Sequence, residues 1–308
     1  MKKLNQSEKK VLTLLEENAR MPASKIAKKT RLSPEGVIKI INRLQEQKII
    51  YKFNTKTNYS LMGQEIYPVH IKLNQINSEI IEKINKLIKK HNSCAWHIFT
   101  EGEYDLMMSF KVKSKQDKEN MIQLLQKLGN YILDKEVSLA LDSFEISKSF
   151  VKKKRQIFLT TNHLASQLEL SKEEFQLLDL LKKNSRQTVL ELAKKMNSTA
   201  RIVAGMIKKM EKSGVISGFK IKINTALLGY QPCTALISLA SYTKEELRKF
   251  ITYCKYKEGI YYVIHQMGKY DFDIKIDAKD VNEFYQLVSE IRNEFSFIKK
   301  ITTLISKY

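Results

Sequence analysis

The side chains best suited to molecular recognition sit on two helical patterns far apart in the chain. In the first, opened by Ser33 and Pro34, the face opposite Val37, Ile40, Ile41 and Leu44 presents Ser33, Glu35, Gly36, Lys39, Asn42 and Arg43. In the second, the corresponding face presents Thr199, Arg201, Ala204, Gly205, Lys208 and Lys209. Hydroxyl, amide and cationic groups along one helix face suit phosphate anchoring and hydrogen bonding to base edges. Arg43 with Asn42 offers bidentate contacts, whereas Lys208 and Lys209 act as point charges on phosphate. The first pattern is therefore expected to supply more sequence discrimination and the second more sequence-independent affinity. Gly36 and Gly205 each cost ~1 kcal/mol of helix propensity relative to Ala, which a close approach to a nucleic-acid backbone would offset.

Catalytic chemistry finds less support. His91, Cys94 and His97 are spaced three apart and could suggest a metal, but this stretch crosses from a helix end into a strand, so the three side chains need not converge. No nucleophile elbow, phosphate loop or Cys-x-x-Cys pair occurs. No catalytic residue, metal site or cofactor is expected. Cys94, Cys233 and Cys254 are odd in number and widely spaced, which fits a reducing compartment without a disulfide framework.

These residues recur because the sequence repeats. A shift of 166 positions places Leu12 on Leu178, Ala27-Lys28-Lys29 on Ala193-Lys194-Lys195, Phe53 on Phe219, and Gly102-x-Tyr104-Asp105 on Gly268-x-Tyr270-Asp271. The shift puts Lys257, Ile260 and Val263 where a metal site would need His and Cys. Two long repeats indicate a tandem duplication of one module rather than a solenoid. Each repeat opens with three short helical patterns, the third started by Ser33-Pro34 or by Ser198 or Thr199. A β-rich stretch follows, Ile49–Phe53 and Val215–Phe219, as a wing or connecting strand would. Alternation then predicts strands over Tyr67–Leu73 and Cys233–Leu239. A helix, two strands around the Gly-x-Tyr-Asp turn, a second helix and a last strand near Ile132 to Phe144 complete a β-α-β-β-α-β order, the ferredoxin-like split unit. Its sheet has one face under helices and one face seeking a partner. The turns need Gly for a tight bend, with Tyr104, Leu106 and Met108, or Tyr270, Phe272 and Ile274, pointing inward.

The charge follows the repeat. The chain has 308 residues, 54 Lys+Arg against 33 Asp+Glu, and a net charge of +21, so a polyanion is the first partner to consider. Residues 1–73 carry a net +9 and 170–239 a net +7, whereas 74–150 are neutral and 240–308 carry +2. Lysine faces are commonly just solvated, but an excess segregated twice onto the same helical pattern favours nucleic acid. The basic helices lack the aromatic opposite face of membrane-surface helices. No apolar run reaches a bilayer span and no signal-type start appears, so a cytoplasmic, nucleoid-associated protein with no membrane partner is expected.

Leu32-Ser33-Pro34, Gly214-Val215-Ile216-x-Gly218-Phe219, Asn224, Leu227-Leu228-Gly229-Tyr230 and the two Gly-x-Tyr-Asp turns resemble the leucine-responsive/asparagine-regulator (Lrp/AsnC) family of transcription factors. The resemblance covers each repeat from end to end. It implies an α+β fold: two copies of a winged helix-turn-helix domain followed by a ferredoxin-like effector domain. The expected boundaries are 1–60 and 61–147, a basic linker at 148–167 that includes Lys152-Lys153-Lys154-Arg155, then 168–226 and 227–308. It further implies a sequence-specific regulator of double-stranded DNA. A single chain would form an intramolecular pseudo-dimer, with further homo-oligomers open. A small effector such as an amino acid would bind near the turns, making Glu101, Gly102, Glu103 and Asp105, and Met267, Gly268, Lys269 and Asp271, candidate pocket positions. Two alternatives stand beside it: a weakly specific chromosome-organising protein, and a sirohaem decarboxylase-like enzyme of the same two-part build. Glu101-Gly102-Glu103-Tyr104-Asp105-Leu106 looks like the regulator version.

Overall fold

The computed structural model describes residues 2–91, 94–151 and 155–307. Its first half contains α1 (Gln6–Glu17), α2 (Ala23–Thr30), α3 (Pro34–Glu46), β1 (Ile50–Thr57), β2 (Glu65–Leu73), α4 (Ser78–Lys90), β3 (Cys94–Gly102), β4 (Leu106–Val112), α5 (Lys115–Lys127), β5 (Ile132–Val137) and β6 (Leu139–Ile146). Next come β7 (Ile157–Asn162), α6 (Lys172–Lys183), α7 (Val189–Lys195), α8 (Ala200–Lys212) and β8 (Ile216–Ile223). The chain closes with β9 (Gln231–Leu239), α9 (Lys244–Tyr256), β10 (Ile260–Met267), β11 (Phe272–Ala278), α10 (Val281–Glu294) and β12 (Ile298–Ser306). Two compact units result. The first comprises residues to Met62, Phe144–Thr160 and Ser166–Tyr230, and the second Gly63–Ser143, Thr161–Ala165 and Gln231 onward.

The first unit holds both helix-turn-helix segments. Capping boxes start α1 and α6: Asn5 accepts from the Glu8 amide while Glu8 accepts from the Asn5 amide, and Ser171 and Glu174 repeat the exchange. Val11, Leu12, Leu15, Ile26, Val37 and Leu44 are fully buried in one core with Leu177, Leu178, Leu181, Leu192 and Val203. Burying each large aliphatic side chain contributes roughly 1.5–3 kcal/mol. β1 and β8 pair antiparallel, with Phe53 opposite Ile221 and Thr55 opposite Phe219, so the stretch after each third helix is the connecting strand. Arg20 donates to the Ser185 and Gln187 carbonyls, and Arg186, its counterpart, donates to those of Ala19 and Met21. Arg20 also lies 5.4 Å over the Phe219 ring and Arg186 5.6 Å over that of Phe53.

A buried ionic cluster completes this unit. Lys220 Nζ lies 3.0 Å from Glu16 and 2.8 Å from Glu145, and Lys56 pairs with Glu145 as well. Burial pushes the Glu145 carboxyl up, but Lys220 and Lys56 outweigh it and hold the group far below the usual carboxylate range. The stretch expected to be a linker contains β7, whose Phe158 is buried against Gly218. Gly218 has φ +154°, and a Cβ there would stand 2.4 Å from the ring. The expected phosphate-binding run Lys152–Lys154 lies outside the described residues.

The second unit is built on the two ferredoxin-like segments. The first gives the order β5-β2-β4-β3 and the second β12-β9-β11-β10, with β3 next to β12 and β10 next to β6 in one sheet. Leu304–Ser306 of β12 pair with Thr100–Gly102 of β3, while Ile298–Ile305 pair with β9. The single strand expected near Ile132 to Phe144 is two. It breaks at Ser138, because β5 pairs with β2 of its own repeat and β6 lies beside β10 of the other. Tyr104 and Tyr270 also depart from expectation. Leu106, Met108 and Phe110 face the helices, but Tyr104 joins Tyr270, Met107, Leu236 and Leu304 in a separate cluster. Each Tyr lies in the turn ahead of the strand, so strand alternation does not govern it.

Candidate nucleic-acid interface

Each recognition helix is set by its cap. Ser33 Oγ accepts from the Gly36 amide at 3.0 Å with Pro34 at the first helical position, and Thr199 accepts from the Ile202 amide at 3.3 Å. Val37, Ile40, Ile41 and Leu44 anchor α3, and Val203, Ile207 and Met210 anchor α8. The opposite faces stay in solvent: Ser33, Glu35, Lys39, Asn42 and Arg43 on one, and Thr199, Arg201, Lys208 and Lys209 on the other, are exposed.

Two of these cations already have partners. Arg43 Nη2 lies 3.0 Å from Glu8 Oε1, and Lys209 Nζ lies 2.8 Å from Glu174 Oε1. The two pairs are 166 positions apart throughout, so each third helix is tied to the capping box of its first helix in the same way. Burial pushes the Glu8 carboxyl up, but the Asn5 amide, Lys2 and Arg43 together hold it below its ordinary value. The bidentate group that the sequence offers at Arg43 is therefore engaged inside the domain. The first two turns of α3 and α8 carry further exposed side chains. Two residues there escape the polar pattern: Ile38 is 48% exposed and Ile202 55%. An apolar group at such a place can meet the methyl group of a thymine. Their signal in the sequence was a β-branched residue off the buried period.

The Gly-x-Tyr-Asp turns come together rather than apart. Asp105 Oδ2 accepts from the Leu73 amide at 2.9 Å, and Asp271 Oδ2 from the Leu239 amide at 2.7 Å, so both carboxylates fasten the turn to the neighbouring strand. Gly102 has φ +135°, and a Cβ there would lie 2.6 Å from the Thr303 carbonyl oxygen. A Cβ at Gly268 would lie 2.3 Å from Ser138 Oγ. These glycines admit a segment of the other repeat, which is a stronger requirement than the bend itself. Lys269 Nζ lies 3.3 Å from Glu103 and 2.9 Å from the Tyr104 hydroxyl, and Tyr270 donates to Glu103 at 3.1 Å. Glu101 faces Lys307 at 3.6 Å, and Met267 is 62% exposed. The candidate effector residues thus divide into turn fasteners, a central network and an exposed rim.

His91, Cys94 and His97 take separate partners: Lys127, the Trp96 carbonyl and Asn85. Among the described residues, no group of three His, Cys, Asp or Glu is placed to hold a metal. No described helix is long and apolar enough to cross a membrane.

Residues 4–51 match the winged helix-turn-helix DNA-binding family and residues 170–220 the MarR family, which places a helix-turn-helix in each repeat. An HTH-type transcriptional regulator of Pyrococcus furiosus is 32% identical over 117 residues, 37% of this chain and 75% of that protein. The regulator LrpB of Bacillus subtilis is 33% identical over 86 residues, 27% of this chain and 57% of LrpB. The sirohaem decarboxylase NirDL shares the fold over 98% of this chain and 91% of its own, with a TM-score of 0.66 at 13% identity. With the Pyrococcus relative covered over three quarters of its length and a helix-turn-helix matched at each repeat, the chain belongs to the HTH-type transcriptional regulators.

Proposed function

We propose that this chain is a sequence-specific DNA-binding regulator of Lrp/AsnC type, made by tandem duplication and acting as an intramolecular pseudo-dimer. The observation that carries this reading is the pair of anchored, capped helices whose outer faces leave Lys39 and Asn42, and Arg201 and Lys208, in solvent. Helix-turn-helix proteins place the N-terminal half of such a helix in the major groove, with neighbouring cations on phosphate. Asn42 suits an adenine edge, while Lys208 is a point charge. The first repeat then contributes more discrimination and the second more general affinity. Glu103, Lys269 and the exposed Met267 lie where a small effector such as an amino acid would modulate the pair.

Selection of bound sequences from random DNA, with and without an amino-acid mixture, tests this. A recovered motif bound at least a hundredfold tighter than random DNA at fixed salt is the expected result. A ratio near one would leave a chromosome-coating protein instead. The fold shared with NirDL is neutral between regulator and enzyme, and decarboxylation of sirohaem by the purified protein would overturn the regulator reading.

A further inference from the structure

The ring centroids of Tyr104 and Tyr270 lie 6.2 Å apart, and the two residues occupy equivalent positions in the two repeats. Around this contact, equivalent residues have become different in kind. Leu236 and Met107 share an apolar cluster with Leu304. The positions matching Leu236 and Met107 are His70 and Asp273, and there the contact is polar: His70 Nε2 lies 3.5 Å from Asp273 Oδ2. Lys275, which matches Ser109, sits 2.9 Å from Asp273 Oδ1, and all three side chains are buried. At the turns, Glu103 of one repeat meets Lys269, its own counterpart, at 3.3 Å.

An interface between identical subunits must match itself, so each residue meets the same set of residues twice. Here the sets differ. We infer that the two ferredoxin-like repeats carry complementary faces, so that this surface accepts the opposite repeat and rejects another copy of its own kind. Pairing the first repeat with itself would set Glu103 against Glu103 and leave His70 beside Met107. Pairing the second with itself would set Lys269 against Lys269 and leave Asp273 beside Leu236. Each arrangement strands a buried polar or charged group, which is among the costlier faults an interface can hold, and like charges face each other at the turns. Both repeats reside in one chain, so the fitting partner is already tethered, at an effective concentration on the order of mM.

This inference rests on the pseudo-dimer reading, but its tests need no DNA, so a failure of DNA recognition and a failure of pairing would appear in different experiments. Four full-length proteins are compared: the parent, E103K, K269E and the double exchange. Glu103 and Lys269 are half-exposed, so each variant can fold. Each single exchange is expected to lower Tm by about 2–4 °C, and the double exchange to regain more than half of the loss. A double variant melting no higher than the less stable single would overturn the proposal. E103K and K269E are then unfolded, mixed and refolded together. Light scattering is expected to show a species at twice the 35.9 kDa chain mass that neither forms alone, because exchange between molecules restores both Glu–Lys contacts. If the mixture holds only single chains, the charges do not select the partner and the proposal falls.

Discussion

Glu8 and Glu174 show how much one side chain can hold. Each closes a capping box on its first helix and binds the cation near the end of its third helix, so a single carboxylate fixes both cap and helix–helix geometry. Glu145 does comparable work at the centre of the first unit, with Lys56 and Lys220. Its depressed pKa sets the sign of a pH effect. The stabilisation it brings is complete above the unfolded Glu value of about 4.3 and is lost as pH falls through the lower folded value. In denaturant titrations, Glu145→Gln is expected to lower stability by about 3 kcal/mol at neutral pH, because it leaves buried cations short of a counter-charge. The gap between variant and parent should stay level down to about pH 4.3 and narrow only below it. A gap that closes at higher pH would show that Glu145 is not held in its charged form. None of this could be read from the residues alone. Lys220 reads as one more surface lysine until the fold brings Glu16 and Glu145 to it from distant segments.

At the scale of elements, the recognition helices separate two meanings of glycine. A Cβ added at Gly205 meets nothing within 4 Å, whereas one at Gly36 would lie 3.2 Å from the capping Ser33 Oγ. Gly205→Ala should therefore stabilise α8 by ~1 kcal/mol and raise Tm by about 2 °C, while Gly36→Ala gains less. If α8 lies close against a DNA backbone, the same Gly205→Ala substitution weakens binding even as it stabilises the fold. A variant more stable and equally tight would move Gly205 off the interface. Helix periodicity and the Ser33 and Thr199 caps made α3 and α8 legible in the sequence. The Arg43–Glu8 pair was not, because a cation on a polar face has the same spacing whether it points to DNA or to a neighbouring helix. The break of the last strand at Ser138 was equally hidden, since alternation reports which face is buried and not which strand lies alongside.

At the scale of the whole molecule, the repeat, the two-part module and the segregation of charge were open to inspection because each feature occurs twice in the sequence, 166 positions apart. What the sequence does not disclose is that the two helix-turn-helix segments form one compact unit and the two ferredoxin-like segments another. That grouping depends on β1 meeting β8 and β3 meeting β12, contacts spanning more than 150 residues. If both readers engage DNA together, their phosphate contacts add. The slope of log affinity against log salt should then fall by about 1 for Lys39→Ala, by about 1 for Lys208→Ala, and by about 2 when both are changed. A double variant with the slope of either single variant would mean that only one reader is in contact at a time.

The place of β12 has a consequence for synthesis. Leu304–Ser306 fill a gap beside Thr100–Gly102, yet they are made about 200 residues later. At ribosomal speeds of about 5–20 residues per second, that edge of β3 waits about 10–40 s for its neighbour. During that interval the nascent chain carries an unpaired strand edge, open to pairing with other chains. Nascent chains stalled before Leu304 should be cut by protease within β3, and chains released after Ser306 should resist. Equal resistance in both would mean that the edge is shielded by something other than β12.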